Sequence, residues 1–157
     1  SLNGTTAGAG ACIALASDLR IASEEARIAF LFVKVGLAGT DMAASYLLPR
    51  IVGLSKATEM LYTGDFVSAV EAERIGLYNR VVPANELITA TREFAERLAR
   101  GPAFALGKTK EMLDREFHMD FKAALESEAQ AQAICMQHPD YREAYEAFVA
   151  KREAKFK

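Results

Sequence analysis

Residues 3 to 18 of this chain read NGTTAGAGACIALASD. The glycines and other small residues predict a loop as far as Gly10, and the apolar residues 11–16 predict a buried helix directly after it. The first N–H groups of such a helix have no acceptor inside the helix and lie at the positive end of its dipole. They can therefore bind an anion, or a carbonyl oxygen that becomes negatively charged.

The glycines in this stretch do not complete a nucleotide-binding motif. A dinucleotide loop requires G-x-G-x-x-G and a phosphate loop requires G-x-x-x-x-G-K-S/T, whereas Gly8-Ala9-Gly10 is followed by Cys12 and Ile13. Two explanations remain. The stretch could be an oxyanion site, where main-chain N–H groups stabilise charge on a carbonyl oxygen, or its small residues could serve close helix packing.

Further motifs follow along nearly the whole chain, and together with the first stretch they resemble the crotonase (enoyl-CoA hydratase/isomerase) superfamily. The resemblance rests on the order and spacing of these motifs. They are NG at 3–4, AGAG at 7–10, SDLRIA at 17–22, VGLA at 35–38, LLPRIVG at 47–53, TGD at 63–65, IGL at 75–77, VVP at 81–83 and FVAKR at 148–152.

The resemblance implies an α/β fold, the crotonase-like ββα spiral, of which this chain would be the C-terminal half. Residues 1–100 would belong to the spiral and residues 101–157 to a helical region that makes trimer contacts and caps CoA. Because Ser1 matches a point in mid-fold, the preceding strands, much of the CoA-diphosphate site and the other oxyanion N–H are expected upstream. A monomeric helical cap is the alternative for residues 101–157.

The resemblance also assigns candidate site residues. The amide of Ala9 occupies the second oxyanion position, and Gly8 and Gly10 are expected to bind substrate beside it. Typical hydratases carry two catalytic glutamates, but the matching positions here are Cys12 and Phe32. Hydration by two glutamates is therefore not available, and Phe32 is expected to contact substrate instead.

Asp41 is the remaining acid–base candidate. It follows the VGLAGT segment, and dienoyl-CoA isomerases carry a functional aspartate one residue nearer the glycine. A carboxylate in an apolar pocket holds its proton more tightly, which suits proton transfer beside a thioester. The alternative is that Asp41 caps a helix. Gly39 is expected to line the same pocket, and Phe148 and Lys151 match positions that contact the adenine and phosphate of CoA.

Composition excludes several classes of partner. The net charge of −2, with both signs interleaved, leaves no basic stripe for nucleic acid. The sequence contains no run of about 20 apolar residues, the length that a membrane-spanning helix needs. Cys12 and Cys135 lack metal-ligand spacing, and their apolar helical surroundings predict inert, reduced thiols and a cytoplasmic protein. No metal and no cofactor are expected beyond the CoA thioester that serves as substrate.

The expected function is therefore that of an enoyl-CoA hydratase/isomerase-type enzyme, which acts on a CoA thioester through an oxyanion-stabilised enolate. Thioester hydrolysis, or another enolate reaction on the same scaffold, is the alternative enzyme class. A non-catalytic family member, acting as a structural or oligomerisation partner, would explain the absent glutamates. The resemblance implies a homotrimer or a hexamer, and the chain on its own is expected to be inactive.

Local patterns predict the remaining elements. Strands are expected at 19–23, 27–30 and 77–82, and residues 31–37 should line a buried space. A helix at 42–48 should be capped by Thr40 or Asp41 and closed by Pro49. A second helix at 54–62 should carry Leu54, Ala57, Met60 and Leu61 on one apolar face, and SAVE at 68–71 has the spacing of a capping box. Helices are expected in most of the chain after residue 85.

Overall fold

A computed structural model describes residues 1–156, and the chain divides into two compact units, Ser1–Arg92 and Glu93–Lys157. Strands and helices alternate in the first unit, whereas the second unit is helical. The predicted domain ranges, 1–100 and 101–157, stay a prediction.

The first unit contains two small sheets. Strand β1 (Thr5–Ala7) pairs in parallel with β3 (Arg27–Ala29), and β3 pairs antiparallel with β4 (Val67–Ser68). Strand β2 (Ile21–Ser23) pairs in parallel with β5 (Arg80–Val82). The three strands predicted from the sequence are thus confirmed, but each is shorter than expected.

The start of the chain differs from the prediction. Residues Thr5–Ala7 form a strand rather than a loop, because their main chain pairs with β3, more than twenty positions further along the sequence. Helix α1 (Ala9–Ala16) then begins two residues earlier than the apolar run suggests. Its burial is confirmed, since Ala11, Cys12, Ala14 and Leu15 are all in the core.

Helices α2 (Ala44–Val52) and α3 (Leu54–Thr63) pack against each other. Pro49 lies inside α2 and does not end it, so that prediction is wrong. Proline lacks its own N–H donor and crowds the carbonyl of Ser45, four residues earlier, but it leaves the hydrogen bonds of later residues free to form. Its carbonyl still accepts a hydrogen bond from the Gly53 N–H at 3.0 Å, and the helix ends at that glycine. The apolar face predicted for α3 is confirmed at Ala57, Met60 and Leu61, which are buried, whereas Leu54 is exposed.

Residues 31–37 do not line a buried space. Leu31–Val35 form a short 3-10 helix that has no buried residue, and the side chains of Val35 and Leu37 are exposed. Helix α4 (Ala69–Arg74) begins as predicted, because the Ser68 hydroxyl accepts a hydrogen bond from the Glu71 N–H at 3.3 Å. The Glu71 carboxylate pairs with Arg74.

Helix α5 (Leu87–Ala99) begins in the first unit and continues into the second. The second unit then contains α6 (Ala103–Glu116), α7 (Phe121–Gln137) and α8 (Pro139–Val149). Helix α7 packs against both α6 and α8. Neither α6 nor α7 has a buried residue, and both carry exposed large apolar side chains.

Candidate active site

The candidate site is built on a strand, a glycine and a helix. Strand β1 ends at Ala7, Gly8 turns the chain, and α1 begins at Ala9. Gly8 has φ 53° and ψ −123°, a backbone conformation that residues with a β-carbon rarely adopt. Its N–H donates to the Ala29 carbonyl oxygen at 3.2 Å, which fixes the turn against β3.

This turn leaves main-chain donors unused at the start of α1. The Gly8 carbonyl takes the Cys12 N–H at 3.2 Å. The N–H groups of Ala9, Gly10 and Ala11 lie before that bond and, among residues 1–156, donate to no acceptor. Ala9 and Gly10 are exposed. A ligand oxygen could therefore reach these donors, and the helix dipole favours negative charge there.

The loop that carries Asp41 contacts the same end of α1. The Cys12 thiol donates to the Asp41 carbonyl oxygen at 3.5 Å, and this oxygen also accepts the Ala44 N–H at 2.9 Å. The structure thus brings the Asp41 main chain into contact with Cys12, the fourth residue of α1. These positions are about 30 residues apart in the sequence, and the sequence alone gave no measure of their distance.

The backbone that follows Asp41 is strained. Met42 and Ala43 have φ of 47° and 66°, in the left-handed region. A residue other than glycine in this conformation costs about 1–3 kcal/mol of folding free energy. The Asp41 carboxylate accepts the Met42 N–H at 2.8 Å. The residue before α2 is Ala43, and no side chain caps the helix, so the predicted cap by Thr40 or Asp41 is wrong.

The apolar enclosure expected for Asp41 is not found within the described residues. Its side chain is exposed. Cys12, by contrast, is 1% exposed, and burial raises the pKa of its thiol, with a further contribution from the negative charge of Asp41. Cys12 is therefore a poor nucleophile, as its apolar helix predicts.

Phe32 and Gly39 both have packing roles in the structure. Phe32 is half-buried and packs against the core of the first unit. A β-carbon on Gly39 would come within 2.8 Å of the Leu61 carbonyl oxygen, so this position excludes larger residues whether or not it binds substrate. For these two residues the structure supplies an explanation that requires no ligand.

Phe148 and Lys151 lie at the C-terminal end of α8, in the second unit. The ring of Phe148 is 83% exposed, and Lys151 is exposed and has φ 52°. An exposed ring and an exposed ammonium group near one helix end fit a ligand with a purine and a phosphate.

Sequence reasoning missed the role of Arg20. This arginine is buried and donates to the Leu77 carbonyl oxygen at 2.6 Å and to the carbonyls of Ala14, Leu15 and Ser17 at the end of α1. Burial lowers the pKa of its guanidinium, partly offset by Asp18 and Tyr78. An arginine beside an otherwise apolar short strand was the only signal in the sequence.

Tyr78 lies in the same buried region. Burial raises the pKa of its hydroxyl to about 12, against the opposing effect of the Arg20 guanidinium.

Within residues 1–156, no group of three or more His, Cys, Asp and Glu side chains is arranged to hold a metal ion. None of the helices described is both long and apolar enough to cross a bilayer.

The chain matches the family model described as enoyl-CoA hydratase/isomerase along residues 1–157. It is 34% identical over 156 residues to the 1,2-epoxyphenylacetyl-CoA isomerase of Escherichia coli K12, covering 99% of this chain and 59% of that protein. It is 34% identical over 154 residues to the short-chain-enoyl-CoA hydratase of Clostridium acetobutylicum, covering 98% of this chain and 58% of that protein.

A solved structure supports the same family assignment. A putative enoyl-CoA hydratase from Streptomyces coelicolor A3(2) superposes with a TM-score of 0.95 at 49% identity, covering 98% of this chain and 56% of that one. The chain therefore belongs to the enoyl-CoA hydratase/isomerase family, and its mixed α/β fold matches crotonase-fold structures. It spans under three-fifths of the length of these relatives.

Proposed function

We propose that the protein carrying this chain acts on a CoA thioester, as an enzyme of the enoyl-CoA hydratase/isomerase type. The Ala9 N–H binds the thioester oxygen, and Asp41 moves the proton. No separate cofactor takes part, because the CoA thioester is itself the substrate.

The observation that carries this proposal is the contact between the Cys12 thiol and the Asp41 carbonyl oxygen at 3.5 Å. It joins the loop of the sole acid–base candidate to the first turns of α1, where main-chain N–H groups are unused. Proton transfer requires the acid or base and the oxyanion donors to meet one substrate. The contact of the Asp41 main chain with Cys12 supports a position from which its carboxylate meets the same substrate.

The proposed step is an isomerisation of a double bond. The Asp41 carboxylate takes a proton from a carbon next to the thioester-conjugated system, and the electron pair of that C–H bond moves onto the thioester oxygen as an enolate. The Ala9 N–H stabilises this oxygen. Asp41 then returns the proton to a different carbon. One carboxylate suffices for this sequence, whereas hydration by the usual route uses two, and the second glutamate position is Phe32.

Asp41→Asn in the complete gene product tests the assignment. Removing the base should lower turnover on enoyl-CoA substrates by about 10²–10⁴-fold, because general acid–base catalysis contributes that much. Affinity for acetoacetyl-CoA, an enolate-like ligand, should stay within a few-fold, because the main-chain donors are unaltered. The two measurements are initial rates on a panel of enoyl-CoA chain lengths and calorimetric titration.

Asp65→Asn is the matched control. Asp65 is also an exposed aspartate of the first unit, but it pairs with Lys34 at 2.7 Å and has no place in the proposed reaction. Its turnover should equal that of the wild type. Unchanged turnover in Asp41→Asn would remove Asp41 from the mechanism.

A non-catalytic family member is the second candidate. Two observations favour it, the exposed Asp41 side chain and the absence of glutamate at Cys12 and Phe32. It predicts no turnover on any enoyl-CoA and no binding of acetoacetyl-CoA. Thioester hydrolysis is the third outcome, and release of free CoA thiol would reveal it in the same assay.

For the second unit we propose contacts with other copies of the chain, in a trimer or hexamer, and contacts of Phe148 and Lys151 with the adenine and phosphate of CoA. Exposed apolar side chains on α6 and α7 support the first. The exposed ring and ammonium at the end of α8 support the second.

A further inference from the structure

Helix α8 ends in a turn that normally requires glycine. The Arg152 N–H donates to the Ala147 carbonyl oxygen at 3.0 Å, and the Lys151 N–H donates to the Phe148 carbonyl oxygen at 3.2 Å. This pair of bonds is a Schellman motif, whose left-handed residue is usually glycine. Here that residue is Lys151, with φ 52°.

A lysine at this position costs stability that a glycine would not. Residues other than glycine persist in the left-handed conformation where the surrounding structure holds them, and such residues concentrate at functional sites. The ammonium group of Lys151 forms no ion pair within residues 1–156, so no salt bridge in this chain explains the choice of lysine.

One carboxylate holds this turn in place. Glu143 accepts two hydrogen bonds from the Arg152 guanidinium, at 2.6 and 3.0 Å, and a third from the Lys155 N–H at 2.8 Å. A bidentate arginine–carboxylate pair fixes geometry as well as charge. The pKa of Glu143 is held at about 2, first by the Arg152 side chain and then by the Lys155 N–H, so the pair is fully ionised at neutral pH.

The neighbouring charges on α8 are occupied elsewhere. Glu146 pairs with Arg142 at 2.8 Å, which leaves Glu143 as the partner of Arg152. Lys151 is therefore tied to the helix through its own N–H, which donates to Phe148, and the next residue, Arg152, is tied to it through Ala147 and Glu143.

We propose that Glu143 is a positioning residue, which clamps Arg152 and the Lys155 main chain and so holds Lys151 in its strained turn to bind a phosphate of CoA. This inference rests on the proposed function. It assigns Glu143 no contact with the substrate.

The test compares two thioester substrates with the same acyl group, one on CoA and one on pantetheine, which lacks every phosphate of CoA. In the complete gene product, Glu143→Gln should raise KM for acyl-CoA by about tenfold and leave kcat within about twofold, because only binding is lost. KM for acyl-pantetheine should not change. Lys151→Ala should give the same pattern.

Three further variants sharpen the result. The double variant of Glu143→Gln with Lys151→Ala should be no worse than Lys151→Ala alone, since both changes remove one interaction. Arg152→Gln breaks the same ion pair from its other side and should match Glu143→Gln. Glu146→Gln, on the same helix, removes the hydrogen-bonded pair with Arg142 and only a weaker charge attraction to Arg152, which keeps its two bonds to Glu143, so both KM values should change by less than about twofold.

Equal losses on both substrates, or a fall in kcat, would make Glu143 merely structural and overturn the inference. So would an unchanged KM in Lys151→Ala, which would also remove the proposed contact of Lys151 with CoA but would leave the proposed reaction at Ala9 and Asp41 standing. A wild-type protein that turns over no thioester and binds no CoA would instead overturn the proposed function, and the inference with it.

Discussion

Gly39 lies against the main chain of α3. A β-carbon there would lie 2.8 Å from the Leu61 carbonyl oxygen, which is closer than β-carbons approach other atoms in proteins. Backbone must therefore shift if the residue is enlarged. The sequence predicts that Gly39 binds substrate, which stays a prediction, and the contact with Leu61 supports a packing role.

We expect Gly39→Ala to lower the free energy of unfolding by about 1–3 kcal/mol, the usual cost of overpacking. Urea denaturation followed by circular dichroism measures this. Gly10→Ala is the control, because its β-carbon would meet only the Thr6 methyl at 3.7 Å and alanine favours a helix by up to about 1 kcal/mol. Equal stabilities for the two variants would contradict the packing argument.

Glu143 gives a prediction about pH. Its pKa is lowered from 4.5 to about 2 in the folded chain, so its contribution to stability is complete above pH 4.5 and is lost as the pH falls toward 2. The stability difference between wild type and Glu143→Gln should therefore shrink over that window. Urea midpoints at several pH values measure it, and a difference independent of pH would refute the ion-pair explanation.

Helix α1 depends on a residue outside it. Its C-terminal carbonyls accept hydrogen bonds from the buried Arg20 guanidinium, which also binds the Leu77 carbonyl before β5. The carbonyls at a helix end have no partner inside the helix. The Arg20 side chain thus caps the C-terminal end of α1 and links this helix to Leu77, in the segment before β5.

Arg20→Met should lower the free energy of unfolding by about 2–4 kcal/mol, because buried carbonyls lose charged donors. Thermal and urea unfolding measure the loss. Arg80→Met, an exposed arginine in β5, should change stability by no more than about 0.5 kcal/mol. A small effect of Arg20→Met would mean that water replaces its bonds.

The helices of the second unit carry several large apolar side chains that are exposed. Phe121 and Leu125 lie four residues apart on one face of α7 and are 79% and 50% exposed. Such patches mark protein interfaces. They support association of several copies.

We expect the complete gene product to be an oligomer by light scattering, and the double change Phe121→Glu with Leu125→Glu to reduce its mass. Two charges would be buried without partners at the interface. Tyr62→Ser, at an exposed aromatic residue of the first unit, should leave the mass unchanged. A monomeric wild type would end the proposal.

The sequence alone determined the features that short segments encode. The burial of α1, the extent of α3, the Ser68 cap of α4 and the family resemblance were all readable, because helix periodicity and capping depend on residues within one or two turns. Asp41 became a candidate through the family resemblance, from its place after the VGLAGT segment, and its catalytic role stays a prediction.

The other features depend on contacts between segments that are far apart in the sequence. Thr5–Ala7 became a strand through pairing with β3, Arg20 found its partner Leu77 57 positions away, and Asp41 proved exposed beside the first turns of α1. Short strands, buried charges and exposure all depend on which distant segments pack together. Local sequence cannot carry that information, because a hydrogen bond or a burial is set by the partner as well as by the residue itself.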